Sequence, residues 1–339
     1  MKAVVVCGPE QFGWEEIAPP VPQANEALVK IEVCGICNST DSELAEGTQP
    51  YRPEFPYVLG HESIGTVIEV GAECRKFQVG DRVTRAACIM PGESRDGLNS
   101  AWGGFAELGL VRDDANSYTS QRQLVLPGDL EPETAFLSIS LAETRAFIEQ
   151  VAEAHLPLKG RCVVVVGTGM AGLTLTRWAR DLDASPVITL GRRAERLTHA
   201  RRCGAHATFL LDEPDLPAKI HERSRGRLAD YLFEAIGKPA VIPQFAPLMA
   251  PAAVLAVYGA APRQEYQAAF EQLPAGVTAV QPGPEEFRYT RAMAEALRDL
   301  VVDPGLFRTH IWTPDMLTAA FQQVRAGQVM KGCIQMRFA

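Results

Sequence analysis

The apolar run Cys162-Val163-Val164-Val165-Val166 passes directly into Gly167-Thr168-Gly169-Met170-Ala171-Gly172. No other stretch limits the possible folds of this chain so tightly. A buried strand that turns through glycines into a helix opens a βαβ unit, and each glycine has its own task. Gly167 permits the tight turn, Gly169 lets backbone approach a pyrophosphate, and Gly172 lets helix and strand pack closely. The helix, expected over Leu173–Leu182, would present its N–H groups and positive dipole end to the phosphates. Further segments follow at Pro186–Leu190, Glu195–Cys203, Ala207–Leu211, Tyr231–Ala235, Val241–Met249 and Val254–Tyr258. Near-continuous apolar strands with helices between them indicate an α/β region with a parallel, doubly wound sheet.

The first part of the chain reads differently. Val4–Val6, Ala27–Val33, Ser63–Val70 and Arg82–Arg85 are short β-branched runs separated by Gly, Pro and Asp. Gly80-Asp81 before Val83 is a turn signal. This suggests a mostly antiparallel, barrel-like domain. Thr134–Glu153 changes to helical spacing, and the tail offers a helix over Pro314–Ala326, stopped by Gly327, and a strand over Gly332–Phe338.

At 339 residues the chain is too long for one simple core, so two domains are expected. A net charge of −8 argues against general nucleic-acid binding and against an anionic membrane surface. No run reaches the ~18 apolar residues of a membrane helix. The start, Met1-Lys2-Ala3-Val4-Val5-Val6-Cys7, reads as a strand and not as a signal peptide. Eight scattered cysteines form no disulfide framework, so a reducing cytoplasm is the expected compartment.

A second chemical signal lies in the antiparallel region. His61-Glu62 sits between apolar, Gly-punctuated runs, downstream of Cys34-Gly35-Ile36-Cys37. A thiolate, an imidazole and a carboxylate are ligand types of a catalytic zinc that keeps one position open.

The stretch Gly60-His61-Glu62-Ser63-Ile64-Gly65 through Gly71 to Cys74 fits a G-H-E-x-x-G-x5-G-x-x-[small] pattern at every fixed position. With the glycine fingerprint downstream, the chain resembles the zinc-type medium-chain dehydrogenase/reductase family, the zinc-dependent alcohol dehydrogenases, over essentially its whole length. The resemblance implies a GroES-like catalytic domain over 1–139, a Rossmann domain over 140–294, and a segment over 295–339 that returns to the catalytic domain. It implies Cys37 and His61 as zinc ligands, with Glu62 beside the metal or exchanging onto it. Cys34 reads as a buried strand residue.

Two departures stand out. The family usually carries Asp three residues after the ligand cysteine; here the run is Cys37-Asn38-Ser39-Thr40-Asp41, one place later. Ser39 or Thr40 could be the hydroxyl that relays the substrate proton. The third protein ligand should fall near 137–141, where the run is Leu137-Ser138-Ile139-Ser140-Leu141, and Glu143 is the nearest substitute. The family's four-cysteine structural zinc is missing, since only Cys88 occurs between Asp81 and Gly103. Met90–Trp102 fills its place as a surface loop, and Gly103–Glu107 matches the family's return strand. Tyr51, Phe55 and Trp102 are guesses at pocket walls.

The strand Pro186–Leu190 bears on the choice of nicotinamide cofactor. NAD-binding relatives place an acid at its end for the ribose 2′-OH; here Gly191 is followed by Arg192-Arg193. An acid repels a 2′-phosphate and a guanidinium grips it, so NADP(H) is expected. The expected activity is interconversion of an alcohol and an aldehyde or ketone by zinc-assisted hydride transfer, on a small molecule, in a homodimer or homotetramer. Two other readings use the same residues: a zinc-free reductase of quinones or activated alkenes, and a non-catalytic NADPH-binding protein.

Overall fold

The computed structural model describes residues 1–259, 261–283 and 285–338. It divides into two compact units, Met1–Ile139 with Phe287–Ala339, and Ser140–Glu286.

Among the described residues the first unit carries a five-stranded and a seven-stranded sheet. The middle of the larger sheet is the strand Glu26–Ile36. Ala27, Val29, Ile31 and Val33 are buried while Leu28, Lys30 and Glu32 are more exposed, the period of two that a strand imposes. Two antiparallel partners, Glu62–Val70 and Lys331–Gln335, meet its C-terminal end, pairing Gly35 with Glu62 and Ile36 with Gly332. That register gathers three distant pieces of sequence at one end of one sheet.

The second unit is a six-stranded, all-parallel sheet. In chain order its strands are Val163–Val166, Val187–Gly191, Ala207–Leu210, Ala229–Glu234, Met249–Val257 and Thr278–Val280. Their spatial order is third, second, first, fourth, fifth, sixth. The order reverses between the first and fourth strands, and ligands of such sheets bind outside the strands' carboxyl ends at that crevice. The sequence patterns thus indicated the antiparallel sheets and the parallel, doubly wound sheet, which the resemblance implied as a GroES-like and a Rossmann domain.

Several element boundaries differ from the sequence reading. The glycine-turn helix runs Met170–Asp181, starting three residues earlier than expected, directly behind Gly169. Thr134–Glu153 is two helices, Pro132–Ala135 and Leu137–Ala154. Pro239–Leu248 winds as a 3₁₀ helix, because Pro243 and Pro247 remove the donors an α-helix needs. The loop expected over Met90–Trp102 contains a hairpin, Ser94–Arg95 with Leu98–Ala101, turning at Gly97 (φ +78°). The strand expected at Gly103–Glu107 begins at Leu108; Ala106 makes one isolated bridge to Ala3. No described helix is long and apolar enough to cross a membrane.

Candidate active site

Cys37 follows the last residue of the strand Glu26–Ile36, and His61 immediately precedes its antiparallel partner, which Glu62 opens. One ligand atom from each of Cys37, His61 and Glu62 lies within 4.8 Å of the others. His61 and Glu62 are buried and Cys37 is half-buried. Gly35 makes room for this arrangement: a Cβ there would stand 2.5 Å from Glu62 Oε2 and 2.6 Å from the Phe136 ring.

Asp41 holds two members of the cluster at once. Its Oδ2 accepts the Cys37 backbone N–H at 2.7 Å, and its Oδ1 lies 3.0 Å from His61 Nδ1. Fixing Nδ1 leaves Nε2 as the ring's free ligand atom, the usual way a carboxylate orients a metal-binding histidine. The acid's one-place displacement is accommodated because Asp41 sits fully buried in the first turn of the helix Thr40–Glu46. In the sequence Asp41 stands out only as a departure from the family's spacing.

Lys331 supplies the counter-charge. Its Nζ lies 2.6 Å from both Glu62 oxygens, and both side chains are almost completely buried. Nothing local marks this lysine, which is 269 residues from its partner and begins an ordinary apolar strand. Arg85 is a third residue the sequence concealed: buried, with φ +56°, it donates from Nη1 to the His61 carbonyl at 2.8 Å.

Burial disfavours charge here, yet specific partners outweigh it. Burial alone would raise the Cys37 thiol, but the His61 hydrogen bond and the Lys331 charge bring it below its ordinary value. Burial would likewise lower His61, but Asp41 and Cys37 hold it well above the usual imidazole range. The cysteine is therefore biased towards thiolate, the form that ligates metals. Cys34, by contrast, is fully buried on the strand, and burial pushes its thiol well up. Burial pushes the Cys88 thiol up to about 12.

The two relay candidates differ in position. Ser39 is exposed with Oγ 3.5 Å from Cys37 Sγ, and Thr40 is the first residue of the short helix. Glu143 belongs to the second unit, where its carboxylate accepts from Tyr258 Oη at 3.4 Å. Of the residues guessed as pocket walls, Tyr51 is exposed, Phe55 stacks on Tyr57 at 5.1 Å, and Trp102 lies between the guanidinium groups of Arg85 and Arg122, at 5.3 and 5.1 Å.

In the second unit the glycine turn has the shape its spacing suggested. Gly167 has φ +119°, and a Cβ on it would meet the Ala235 carbonyl at 2.9 Å. A Cβ on Gly172 would stand 2.0 Å from the Gly167 carbonyl oxygen, whereas one on Gly169 would meet nothing within 4 Å. Gly167 and Gly172 serve close packing; Gly169 leaves open space beside the first-turn N–H groups of Met170 and Ala171, and a diphosphate fits that chemistry. Gly191 ends its strand buried, and a Cβ there would lie 2.6 Å from Thr168 Cγ2. An acidic side chain at this point would thus have to displace Thr168. Arg192 and Arg193 are exposed, and Arg193 is the N-cap of the helix Ala194–Arg202.

Comparison with known proteins agrees with this division. Residues 23–119 match the family model for the alcohol dehydrogenase GroES-like domain, and residues 171–281 match that for zinc-binding dehydrogenases. D-arabitol-phosphate dehydrogenase of Enterococcus avium is 30% identical over 251 residues, covering 69% of this chain and 68% of that protein. Sorbitol dehydrogenase of Halalkalibacterium halodurans is 26% identical, covering 98% of each. In fold, the alcohol dehydrogenase TADH from Thermus sp. ATN1 superposes with a TM-score of 0.80 at 22% identity, over 99% of this chain and 100% of that one. With matches to both family domains and a relative at that identity and coverage, the chain belongs to the zinc-type medium-chain dehydrogenase/reductase family.

Proposed function

We propose that this protein is an NADP(H)-dependent oxidoreductase that interconverts a small alcohol and its aldehyde or ketone, with one zinc held by Cys37, His61 and Glu62. Membership of a family whose named relatives are alcohol and polyol dehydrogenases supports the reaction class. The observation that carries the metal reading is the convergence of a thiol biased towards thiolate, an oriented imidazole and a buried carboxylate within 4.8 Å. This ligand set does not require Glu143.

When bound, the metal supplies Lewis acidity towards the substrate oxygen and the nicotinamide supplies or accepts the hydride. The chain's own residues do the remainder. Cys37 and His61 are pre-positioned by Asp41, so ligation demands little rearrangement. Lys331 neutralises Glu62, and the pair can hold or release that carboxylate as the charge nearby changes. Ser39, exposed beside Cys37 Sγ, is placed to pass a hydroxyl proton outward, with Thr40 next to it in sequence. The Gly167–Gly172 turn seats the diphosphate, and the absence of an acid at Gly191 together with Arg192 favours the 2′-phosphorylated cofactor.

The experiment is a comparison of NADPH and NADH as cofactors on a panel of alcohols and carbonyls, for the wild type and Arg192→Ala. NADPH should be preferred, and Arg192→Ala should cut that preference by about tenfold or more, the scale of one charge-assisted phosphate contact. An unchanged preference in the variant would remove Arg192 from the assignment. Turnover that survives complete zinc removal would favour a zinc-free reductase instead.

A further inference from the structure

A cavity of about 440 Å³ opens in the second unit, lined by Arg192, Leu211, Asp212, Ile236, Lys238 and Phe245 among others. These residues follow the carboxyl ends of three parallel strands, Val187–Gly191, Ala207–Leu210 and Ala229–Glu234, or belong to the 3₁₀ helix behind them. Leu211, Ile236 and Phe245 give apolar walls suited to a flat heterocycle. The charged groups comprise two cations and one carboxylate, reached from three separate turns.

We infer that Lys238 is the second cation of a two-armed clamp which, with Arg192, recognises the 2′-phosphate of the cofactor's adenosine half. This inference rests on the NADP(H) reading above and extends it to a residue the sequence did not single out. Three observations support it. First, Lys238 and Arg192 line the same cavity although 46 positions apart. Arg193, the sequence neighbour, instead stands at the N-cap of the helix Ala194–Arg202.

Second, the turn that carries Lys238 is built rigidly. Glu234 is fully buried, and its Oε1 accepts the N–H groups of Ile236 at 2.6 Å and Gly237 at 3.0 Å. Gly237 has φ +78°, and a Cβ on Gly259 would stand 2.1 Å from Gly237 Cα, so two chain segments lie flush there. Pro239 fixes the next residue at the start of the 3₁₀ helix. The Lys238 backbone is thus set before any ligand arrives, and only its flexible stem must order.

Third, the charges are complementary. Asp212 offsets one cation, leaving a single net positive charge in the cavity's polar lining, which a ribose hydroxyl does not need and a phosphate does.

The test is titration calorimetry of the full-length protein with 2′,5′-ADP and with 5′-AMP, which differ only in the 2′-phosphate. The proteins are wild type, Lys238→Met and Lys238→Arg. The wild type should bind 2′,5′-ADP more tightly. Lys238→Met should lose about tenfold of that preference while 5′-AMP affinity stays within about twofold, and Lys238→Arg should restore most of it, as one charge-assisted contact predicts. If Lys238→Met weakens both ligands equally, or neither, the clamp is wrong while the NADP(H) reading stands. If the wild type itself does not distinguish the two ligands, the NADP(H) reading fails and the clamp fails with it.

Discussion

Around Cys37 and His61, charge is buried and answered by other buried charge: Asp41 faces His61, and Lys331 faces Glu62. Around Arg192 and Lys238 the charges stand exposed on turns, and what is buried beneath them is backbone geometry. The first site is a network in which each member needs the others, because an unpaired buried ion is costly. The second is a scaffold of glycines and strand ends that carries solvated cations. Mutations should therefore propagate through the first site and stay local in the second.

The sharpest way to break this contrast is Cys37→Ala. Metal affinity, read by competition with a chromogenic chelator, should fall by more than the ~10–100-fold typical of losing an outer-shell partner, and turnover should be lost with it. Binding of NADPH should persist. Retained zinc and turnover would remove Cys37 from the ligand set.

Next comes Lys331→Met, which leaves Glu62 buried without its cation. Urea denaturation should show a loss of about 3–5 kcal/mol, the scale of a broken buried pair. A loss under about 1 kcal/mol would mean that Glu62 does not depend on Lys331, and that the site is less tightly coupled than its geometry implies.

Asp41→Asn keeps the shape but weakens the hold on His61. Metal affinity should drop by ~10–100-fold while the fold survives. An unchanged affinity would show that the ligands are positioned by the strands alone.

The smallest effect belongs to the scaffold of the second unit. Burial pushes the Glu234 carboxyl up, against the opposing hydrogen bonds from Ile236 and Gly237. With the folded value above the unfolded one, the folded chain holds an extra proton between the two. Stability from this group is then complete below the unfolded carboxylate range, near ~4.3, and is lost as pH rises through the folded value. Glu234→Gln, which keeps an oxygen for the same two N–H groups, should therefore gain melting temperature relative to the wild type as pH rises. Parallel melting curves against pH would contradict a raised Glu234.

The same contrast explains what could be read in advance. The glycine turn was legible because its geometry is local: a strand, three glycines and a helix start lie within a few consecutive residues. Cys37, His61 and Glu62 were legible for a related reason, since they sit at marked positions in short patterns. The 3₁₀ winding of Pro239–Leu248 was not legible from the apolar segment Val241–Met249, because Pro243 and Pro247 bar the α-helical bonds that such a segment suggests.

Lys331, Arg85 and Lys238 were not legible. A lysine opening a strand, an arginine after a threonine and a lysine after a glycine carry no local signal, and most such residues face water. Amino-acid order by itself determined the two kinds of sheet, the glycine turn between strand and helix, and the thiol, imidazole and carboxylate near the start of the chain. Only the tertiary structure decided that Asp41 would face His61, that a lysine from the tail would neutralise Glu62, and that Lys238 would share a cavity with Arg192. The physical reason is range: backbone conformation is set by neighbours in sequence, whereas the pairing of buried charges depends on how the fold brings together segments from 20 to 269 positions apart.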